Sequence, residues 1–330
     1  MMKYKSVVLT KRGGPEVLQV EEKTLRSPQN KEVQISIKAC GVGRTDVAMR
    51  YGYYPFAPKI PFVPGYEIVG EITAIGSEVS QFKTGDLVAA LTVYGGYSEF
   101  IILKEEDLIS VPKDIAPEKA VSIILNYCTA YQILFRTLKV KKGDSVLITG
   151  ASGGVGSALI DIGKHIELKM FGLSSLKKQD RLIEQGVIPI DYNSKTWTDK
   201  LSEFQPEGLD FVIDGIGGKY IDQGFKVLKP RGILAEYGYP NFLGMITGII
   251  KINIRNLIPN SKKGAFYGIS ANYKKNKKLI HEDLIRLFEM LQSGKINPVI
   301  SHKFHVLEAQ SANKKLEEGN VIGKIVLVND

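Results

Sequence analysis

The sequence is poor in the residues that build disulfide frameworks and metal sites. It has two cysteines and four histidines among 330 residues. Cys40 and Cys128 are too few for a disulfide framework or a four-cysteine zinc site, and their apolar surroundings favour buried, reduced thiols. The histidines lie outside every motif considered below, and we assign them no role: His165, His281, His302 and His305.

Long uncharged apolar runs are also missing. None reaches the roughly 18 residues that a membrane-spanning helix needs. Residues 1–22 are interleaved with basic side chains and show no apolar signal region. We therefore expect a cytoplasmic protein. The segment from Phe242 to Ile258 is apolar apart from Lys251 and Arg255, which leaves three interpretations open: a helix over an active-site cleft, a dimer interface, or a peripheral membrane-surface helix.

Acidic residues are outnumbered, with 35 Asp and Glu against 44 Lys and Arg, a formal net charge of +9. Such a charge attracts phosphates, whether these belong to a cofactor, a nucleic acid or a membrane surface. The lysine clusters lack the interleaved aromatic residues of a base-stacking surface, so nucleic-acid binding is disfavoured as the main role.

The order of the predicted elements indicates an α/β protein with two domains. Short β segments separated by turns fill the first third, which favours a small β-rich domain. From about residue 119, strands and helices alternate, which predicts a parallel sheet with right-handed crossovers. The tail returns to short strands. We therefore expect a β-rich domain over 1–122 and 298–330, with a dinucleotide-binding domain over 123–297 inserted into it.

The most informative motif is a glycine turn between an apolar strand and a helix. Small residues at Ala151, Gly153 and Gly156 reproduce the first, third and sixth positions of the dinucleotide fingerprint. A helix that begins here directs its N–H groups and its dipole at an anion. We expect this loop to bind the pyrophosphate of a dinucleotide through six consecutive residues: Ala151, Ser152, Gly153, Gly154, Val155 and Gly156.

Together these features resemble the medium-chain dehydrogenase/reductase superfamily, and most closely its zinc-free quinone oxidoreductase branch, near the zeta-crystallin-like and vesicle amine transport protein-like reductases. The resemblance covers nearly the whole chain and implies a GroES-like β-rich catalytic domain beside a Rossmann domain. It rests on the glycine loop and on further segments: Pro64–Ile72, Gly85–Val88, Gly95–Glu99, Leu125–Tyr131, Asp214–Gly218 and Gly323–Leu327.

Two departures from the zinc-dependent members of the superfamily are informative. Those members hold a catalytic zinc ion with a cysteine and a histidine, at positions where this chain has Gly43 and Tyr66. A catalytic zinc ion needs three protein ligands, so we expect no metal.

The cofactor is expected to be NADPH. NAD-dependent enzymes place an acidic residue about 20 residues beyond the glycine loop, whereas this chain has small hydroxyl residues and lysines there. The resemblance implies a 2′-phosphate pocket formed by Ser174, Ser175, Lys178 and Tyr192. It also implies that Gly215 and Lys324 contribute to cofactor binding.

For the acceptor, the resemblance implies Tyr54, Asn126 and Thr129 as catalytic residues, with Tyr54 as a hydrogen-bond donor to the substrate oxygen. We therefore expect hydride transfer to a quinone or an α,β-unsaturated carbonyl compound. Two alternatives stay open: reduction of another activated alkene such as an enoyl thioester, and a nucleotide-retaining protein that binds RNA or membranes. Relatives also suggest a homodimer, formed through the strand near residues 264–269 or its neighbours.

Overall fold

The computed structural model describes residues 2–194, 196–259 and 261–329. The strands in these residues are, in chain order, β1 (Lys3–Leu9), β2 (Leu18–Thr24), β3 (Glu32–Val42), β4 (Ile68–Ile75), β5 (Leu87–Ala90), β6 (Phe100–Lys104), β7 (Ile109–Ser110), β8 (Ser145–Ile148), β9 (Lys169–Ser174), β10 (Ile188–Asp191), β11 (Leu209–Asp214), β12 (Leu228–Glu236), β13 (Lys263–Phe266), β14 (Ile300–His305) and β15 (Lys324–Val328).

The helices are α1 (Arg44–Tyr51), α2 (Pro117–Ser122), α3 (Cys128–Tyr131), α4 (Gly154–His165), α5 (Gln179–Glu184), α6 (Trp197–Phe204), α7 (Lys219–Val227), α8 (Phe242–Leu257), α9 (Ile269–Lys275), α10 (Lys277–Gln292) and α11 (Ala309–Glu317). Two π-helical segments, Ile123–Tyr127 and Gln132–Leu138, flank α3. Single 3₁₀ turns lie at Pro15–Val17, Glu105–Asp107, Leu176–Lys178 and Val306–Glu308.

The chain forms two compact units. The first comprises residues 1–128 and 276–330, and the second comprises residues 129–275. The domains predicted from the sequence, 1–122 with 298–330 and 123–297, have different bounds. The predicted domain bounds stay a prediction.

The first unit is rich in β structure. Strands β1 and β2 pair antiparallel, and seven further strands form a sheet in the order β14-β15-β3-β4-β5-β7, with β6 also paired to β3. Strand β3 is central because its inward-facing side chains are apolar and buried while the alternate ones are polar. The tail of the chain joins this sheet, since β15 lies antiparallel to β3. This unit carries the GroES-like fold that the sequence predicts.

The second unit is a six-stranded parallel sheet in the order β10-β9-β8-β11-β12-β13. If the six strands are numbered in chain order within this unit, the order is 3-2-1-4-5-6, which is the doubly wound Rossmann order. The order of the strands reverses between β8 and β11. Parallel strands are buried on both faces, which explains the continuous apolar run that precedes the glycine turn. The core of this sheet includes Trp197, the only tryptophan of the sequence. Helix α4 begins at Gly154, inside the glycine loop.

Helix α8 covers the apolar segment that stands out in the sequence. Only Gly248 and Ile252 of this helix are buried, and most of its large apolar side chains are exposed, with Leu257 at 81%. Its length is 16 residues, and no helix in the described part of the chain is long and apolar enough to cross a bilayer. The sequence alternatives for this segment, and the homodimer, stay predictions.

One contact of α8 closes the edge of the parallel sheet. The side-chain amide of Asn256 donates to the carbonyl of Gly264 in β13 at 2.8 Å, and its oxygen accepts from the Gly264 N–H at 2.9 Å. Strand β13 is an edge strand, so these two groups have no neighbouring strand to pair with. The amide of Asn256 takes the place of one.

Candidate functional site

The glycine loop lies at the carboxyl end of β8, at the switch point of the parallel sheet. Gly150 adopts a positive φ of 64°, which a glycine tolerates without strain, and its carbonyl accepts the N–H of Gly153 at 2.9 Å. A Cβ on Gly156 would lie 2.3 Å from the Gly150 oxygen, so the first turn of α4 reaches the strand only with glycine there. The loop residues 152–155 remain partly exposed. The start of α4 therefore offers backbone N–H groups for an anion.

The next strand of the sheet ends at Ser174. This side chain is buried, and its hydroxyl has no hydrogen-bond partner among the described residues. The carbonyl of Ser174 accepts the N–H of Tyr192 at 3.3 Å, which brings two of the predicted 2′-phosphate residues together. Ser175 precedes the single 3₁₀ turn that ends at Lys178. A buried hydroxyl without a partner fits a ligand oxygen, so this strand end is compatible with NADPH.

Two acidic residues to which the sequence analysis assigned no role lie at the carboxyl ends of neighbouring strands. Asp214 ends β11 and Glu236 ends β12, and the two residues are neighbours in register. The carboxylate of Asp214 accepts the hydroxyl of Thr149 and two backbone N–H groups of the glycine turn that contains Gly215. Burial nevertheless raises the pKa of Asp214. Gly215 itself donates its N–H to the Thr149 hydroxyl at 3.0 Å.

Glu236, in contrast, has no such hydrogen-bond donors among the described residues. It is fully buried, and neither carboxyl oxygen has a hydrogen-bond partner in the part of the chain that the structure describes. Burial, and to a lesser extent the charge of Asp214, raise the pKa of Glu236 to about 8. A Cβ on Gly248 of α8 would lie 2.5 Å from a Glu236 oxygen, so the helix passes directly over this carboxyl group. The sequence signal was an acid that ends an apolar parallel strand.

The predicted residues Asn126 and Thr129 lie in the irregular helical region. Asn126 is buried within the π-helical segment of the first unit, and Thr129 is buried in α3 at the start of the second. The hydroxyl of Thr129 has no partner among the described residues. π-Helical turns occur frequently at functional sites, because they re-aim side chains along a helix. The roles predicted for both residues stay predictions.

In the first unit, the hydroxyl groups of two tyrosines meet. Tyr54 follows α1, whose end at Gly52 has a positive φ of 77°, and Tyr66 precedes β4. Their hydroxyl oxygens lie 2.5 Å apart, and the rings pack edge to face with centroids 5.9 Å apart. Tyr66 is fully buried, whereas Tyr54 is half-buried. The pair therefore links a buried hydroxyl to a more accessible one.

A buried carboxylate fixes the backbone around this pair. Asp46 accepts the N–H of Gly43 at 2.8 Å and the N–H of Gly65 at 3.1 Å. Burial, reinforced by the charge of Glu67, raises the pKa of Asp46 to about 7. Because one carboxyl group binds both segments, the start of α1 is held against the turn that carries Tyr66.

Lys324, predicted to contribute to cofactor binding, lies in the first unit and forms a buried ion pair with Glu67. A Cβ on Gly41 would fall 1.9 Å from the Glu67 carboxylate, so glycine makes room for the pair. Burial raises the pKa of Glu67, and the lysine charge opposes that effect. The cofactor role predicted for Lys324 stays a prediction.

The residues of the first unit do not fit a catalytic zinc ion. Gly43 has no side chain, Tyr66 contacts Tyr54, and Glu67 is paired with Lys324. Within residues 2–194, 196–259 and 261–329, no three His, Cys, Asp or Glu side chains group closely enough to hold a metal. Burial raises the pKa of Cys40 well above its ordinary value, which makes it a poor thiolate ligand.

Comparisons with known proteins agree with the fold. The alcohol dehydrogenase GroES-like domain family matches residues 29–113, and the zinc-binding dehydrogenase family matches residues 185–327. The synaptic vesicle membrane protein VAT-1 homolog of Homo sapiens is 30% identical over 336 residues, which cover 98% of this chain and 86% of that protein. Quinone oxidoreductase of Homo sapiens is 28% identical over 322 residues, which cover 96% of this chain and 95% of that protein.

A solved structure of a mycobacterial protein complexed with NADPH superimposes on this chain with a TM-score of 0.86. Its sequence identity is 25%, and the match covers 99% of this chain and all of the other.

Proposed function

We infer that this chain, which belongs to the medium-chain dehydrogenase/reductase superfamily, is a zinc-independent, NADPH-dependent reductase of quinones or α,β-unsaturated carbonyl compounds. Membership of this superfamily makes the chain an oxidoreductase. The finer proposal rests on one observation above all. Where the zinc-dependent relatives have a histidine ligand, the hydroxyl of Tyr66 meets the hydroxyl of Tyr54.

Bound NADPH would supply a hydride ion. When a hydride adds to the carbon of a carbonyl, quinone or enone acceptor, the electron pair of the π system moves to the acceptor oxygen. A reductase must stabilise this developing oxyanion with donors that are already in place. In this chain, the Tyr54 hydroxyl would donate a hydrogen bond to that oxygen and then its proton, which the solvent would replace. A metal is not needed for this step, since the donor is an ordinary side chain.

The choice of NADPH over NADH is supported by the end of β9. A carboxylate there would repel a 2′-phosphate, but the residue is Ser174, whose buried hydroxyl is left without a partner among the described residues. Lys178 lies on the adjoining turn and would contribute a positive charge. Asp191, opposite Ser174 in register, has its carboxylate engaged by Asn193.

The test is NADPH oxidation, followed by the absorbance of the reduced nicotinamide, with EDTA present. An ortho-quinone, a 2-alkenal and an enoyl thioester are assayed in parallel, with NADH as the paired control. We expect turnover that survives chelation, favours NADPH and is fastest with the quinone or the alkenal. Turnover abolished by EDTA, or a preference for NADH, would contradict the proposal. Turnover with the thioester alone would support the alternative substrate class, and tight NADPH binding without turnover would support a binding protein.

A matched pair of variants tests the proton donor. Tyr54→Phe removes the hydroxyl proposed to contact the acceptor, and Tyr51→Phe removes an exposed hydroxyl from the same helix end. General acid catalysis contributes roughly 10²–10⁴-fold, so we expect Tyr54→Phe to lower kcat by at least about 100-fold. Tyr51→Phe should leave kcat unchanged. Equal rates in the two variants would remove Tyr54 from the mechanism.

A further inference from the structure

The hydrogen bond between Tyr54 and Tyr66 can run in either direction, and the direction decides whether Tyr54 can act as the proton donor. A tyrosine hydroxyl carries one proton and can donate one hydrogen bond at a time. At 2.5 Å the two hydroxyl oxygens share one hydrogen bond, in which either group can be the donor. If Tyr54 donates to Tyr66, its proton points into the buried interior and is not presented to an acceptor.

The backbone around Tyr66 is held by hydrogen bonds and by close packing. Its carbonyl accepts the N–H of Val93 at 3.0 Å, and the carbonyl of Gly65 accepts the Thr92 hydroxyl at 2.9 Å. Gly65 has a positive φ of 105°, and a Cβ there would lie 2.5 Å from the Tyr97 N–H nitrogen. The backbone of Tyr66 is therefore held on both sides, and its hydroxyl lies against that of Tyr54.

Burial distinguishes the two hydroxyl groups. Tyr66 is fully buried, so it cannot touch a substrate, whereas Tyr54 is half-buried. Through its contact with the Tyr54 hydroxyl, Tyr66 can still influence an acceptor that Tyr54 binds.

We propose that Tyr66 is a positioning residue: its hydroxyl donates a hydrogen bond to the Tyr54 oxygen and so turns the Tyr54 proton towards the acceptor. This inference rests on the proposed reductase function. As the proton of Tyr54 moves to the substrate oxygen, negative charge develops on the Tyr54 oxygen. The bond from Tyr66 strengthens with that charge, because hydrogen bonds to ionised acceptors are the stronger ones. Tyr66 thus supports the donor at the position where zinc-dependent relatives place a metal ligand.

The experiment compares Tyr66→Phe with Tyr97→Phe. Both remove one hydroxyl from a fully buried tyrosine of the same unit. Among the described residues, the Tyr97 hydroxyl accepts a single long hydrogen bond of 3.3 Å, from Asn313. We expect Tyr66→Phe to lower kcat about tenfold with little change in KM, and Tyr97→Phe to leave kcat unchanged. In a Tyr54→Phe background, Tyr66→Phe should have no further effect, since the group through which it acts is gone.

The pH dependence of kcat separates positioning from packing. A proton donor must be protonated, so activity falls as the pH rises beyond the point where Tyr54 ionises. The hydrogen bond from Tyr66 favours the ionised form of Tyr54, so its removal should move this alkaline limb to higher pH. A residue that only packs would change the height of the profile and not the position of the limb.

A measurement on the unmodified protein covers the case in which Tyr66→Phe does not fold. In mixtures of light and heavy water, strengthening of the Tyr66 hydrogen bond as Tyr54 gives up its proton adds a second isotope effect, and the dependence of kcat on deuterium content is then curved. Transfer of the Tyr54 proton without that strengthening gives a straight line. We expect the curve. A straight line, or a Tyr66→Phe variant indistinguishable from Tyr97→Phe, overturns the inference while the reductase function stands. Absence of turnover in the unmodified protein overturns the function and the inference together.

Discussion

Replacement of Glu236 by glutamine should stabilise the second unit, and should do so in a pH-dependent way. The fold holds this carboxyl in its neutral form, with a pKa of about 8 against an ordinary value of 4.5. Below pH 4.5 both the folded and the unfolded chain keep the proton. As the pH rises from 4.5 to 8, the unfolded chain releases the proton and the folded chain retains it, so stability falls across this window.

The size of the effect follows from the width of that window. Each pH unit corresponds to about 1.36 kcal/mol, which gives an upper bound of about 3 kcal/mol at pH 7. Relaxation of the fold and entry of water around the ionised carboxyl reduce this to about 2 kcal/mol. Glutamine has nearly the same shape and no charge to lose. We therefore expect Glu236→Gln to match the parent at about pH 4.5 and to exceed its free energy of unfolding by about 2 kcal/mol at pH 7.

The chain supplies its own probe for this measurement. Trp197 belongs to the same buried core as Leu234 of β12 and Ile252 of α8, so its fluorescence reports unfolding of the second unit. Urea unfolding at a series of pH values gives the free energies, with Glu203→Gln as the control at an exposed position of α6. The reasoning is refuted if the parent and Glu236→Gln have parallel pH dependences, or if the variant is less stable at pH 7.

Three further predictions address the cofactor loop, the cofactor preference and the buried ion pair. Ser174→Asp should weaken NADPH binding at least about tenfold relative to NADH in fluorescence titrations, because a carboxylate repels a 2′-phosphate. Gly156→Ala should destabilise the fold by about 1–3 kcal/mol and impair NADPH binding, because the added Cβ would collide with backbone atoms. The control Gly153→Ala should have a milder effect, because the nearest atom to its Cβ would lie 3.3 Å away. Equal effects of the two variants would contradict this prediction. Lys324→Met should lower the free energy of unfolding in urea by about 3–5 kcal/mol, because it leaves the Glu67 charge buried without its partner. Adding Glu67→Gln should restore most of this stability. No recovery in the double variant would show that the charges of the pair are not the cause.

The parts of the fold that the sequence predicts are those governed by local pattern. Apolar runs that break at glycine mark the parallel strands. The segment from Ala151 to Gly156 follows β8 and runs into the first turn of α4, because a close helix–strand approach requires small residues at fixed spacing. The return of the tail to the first unit was likewise readable from Lys324–Val328, a short apolar strand.

Contacts between distant residues were out of reach. Glu67 and Lys324 are 257 residues apart in the sequence, and they meet because β15 and β4 pair with opposite sides of β3. The contact between the hydroxyls of Tyr54 and Tyr66 was also out of reach, because it depends on the turn conformation at Gly65. Glu236 was missed because acids are rarely buried without a partner, so its place at the end of an apolar strand did not by itself indicate burial under a helix.

The side chain of Asn256 bears on how copies of this protein can meet. An edge strand is an open template, and proteins grow into larger sheets or aggregates when a second chain hydrogen-bonds to it. At Gly264 the template is already occupied by a side chain of the same molecule. A neighbour that approaches this residue must displace two hydrogen bonds before it can form its own, at a cost of about 1–3 kcal/mol. Sheet-to-sheet growth at Gly264 is thereby opposed by the chain itself, and an assembly that pairs with this residue has to begin with the release of Asn256.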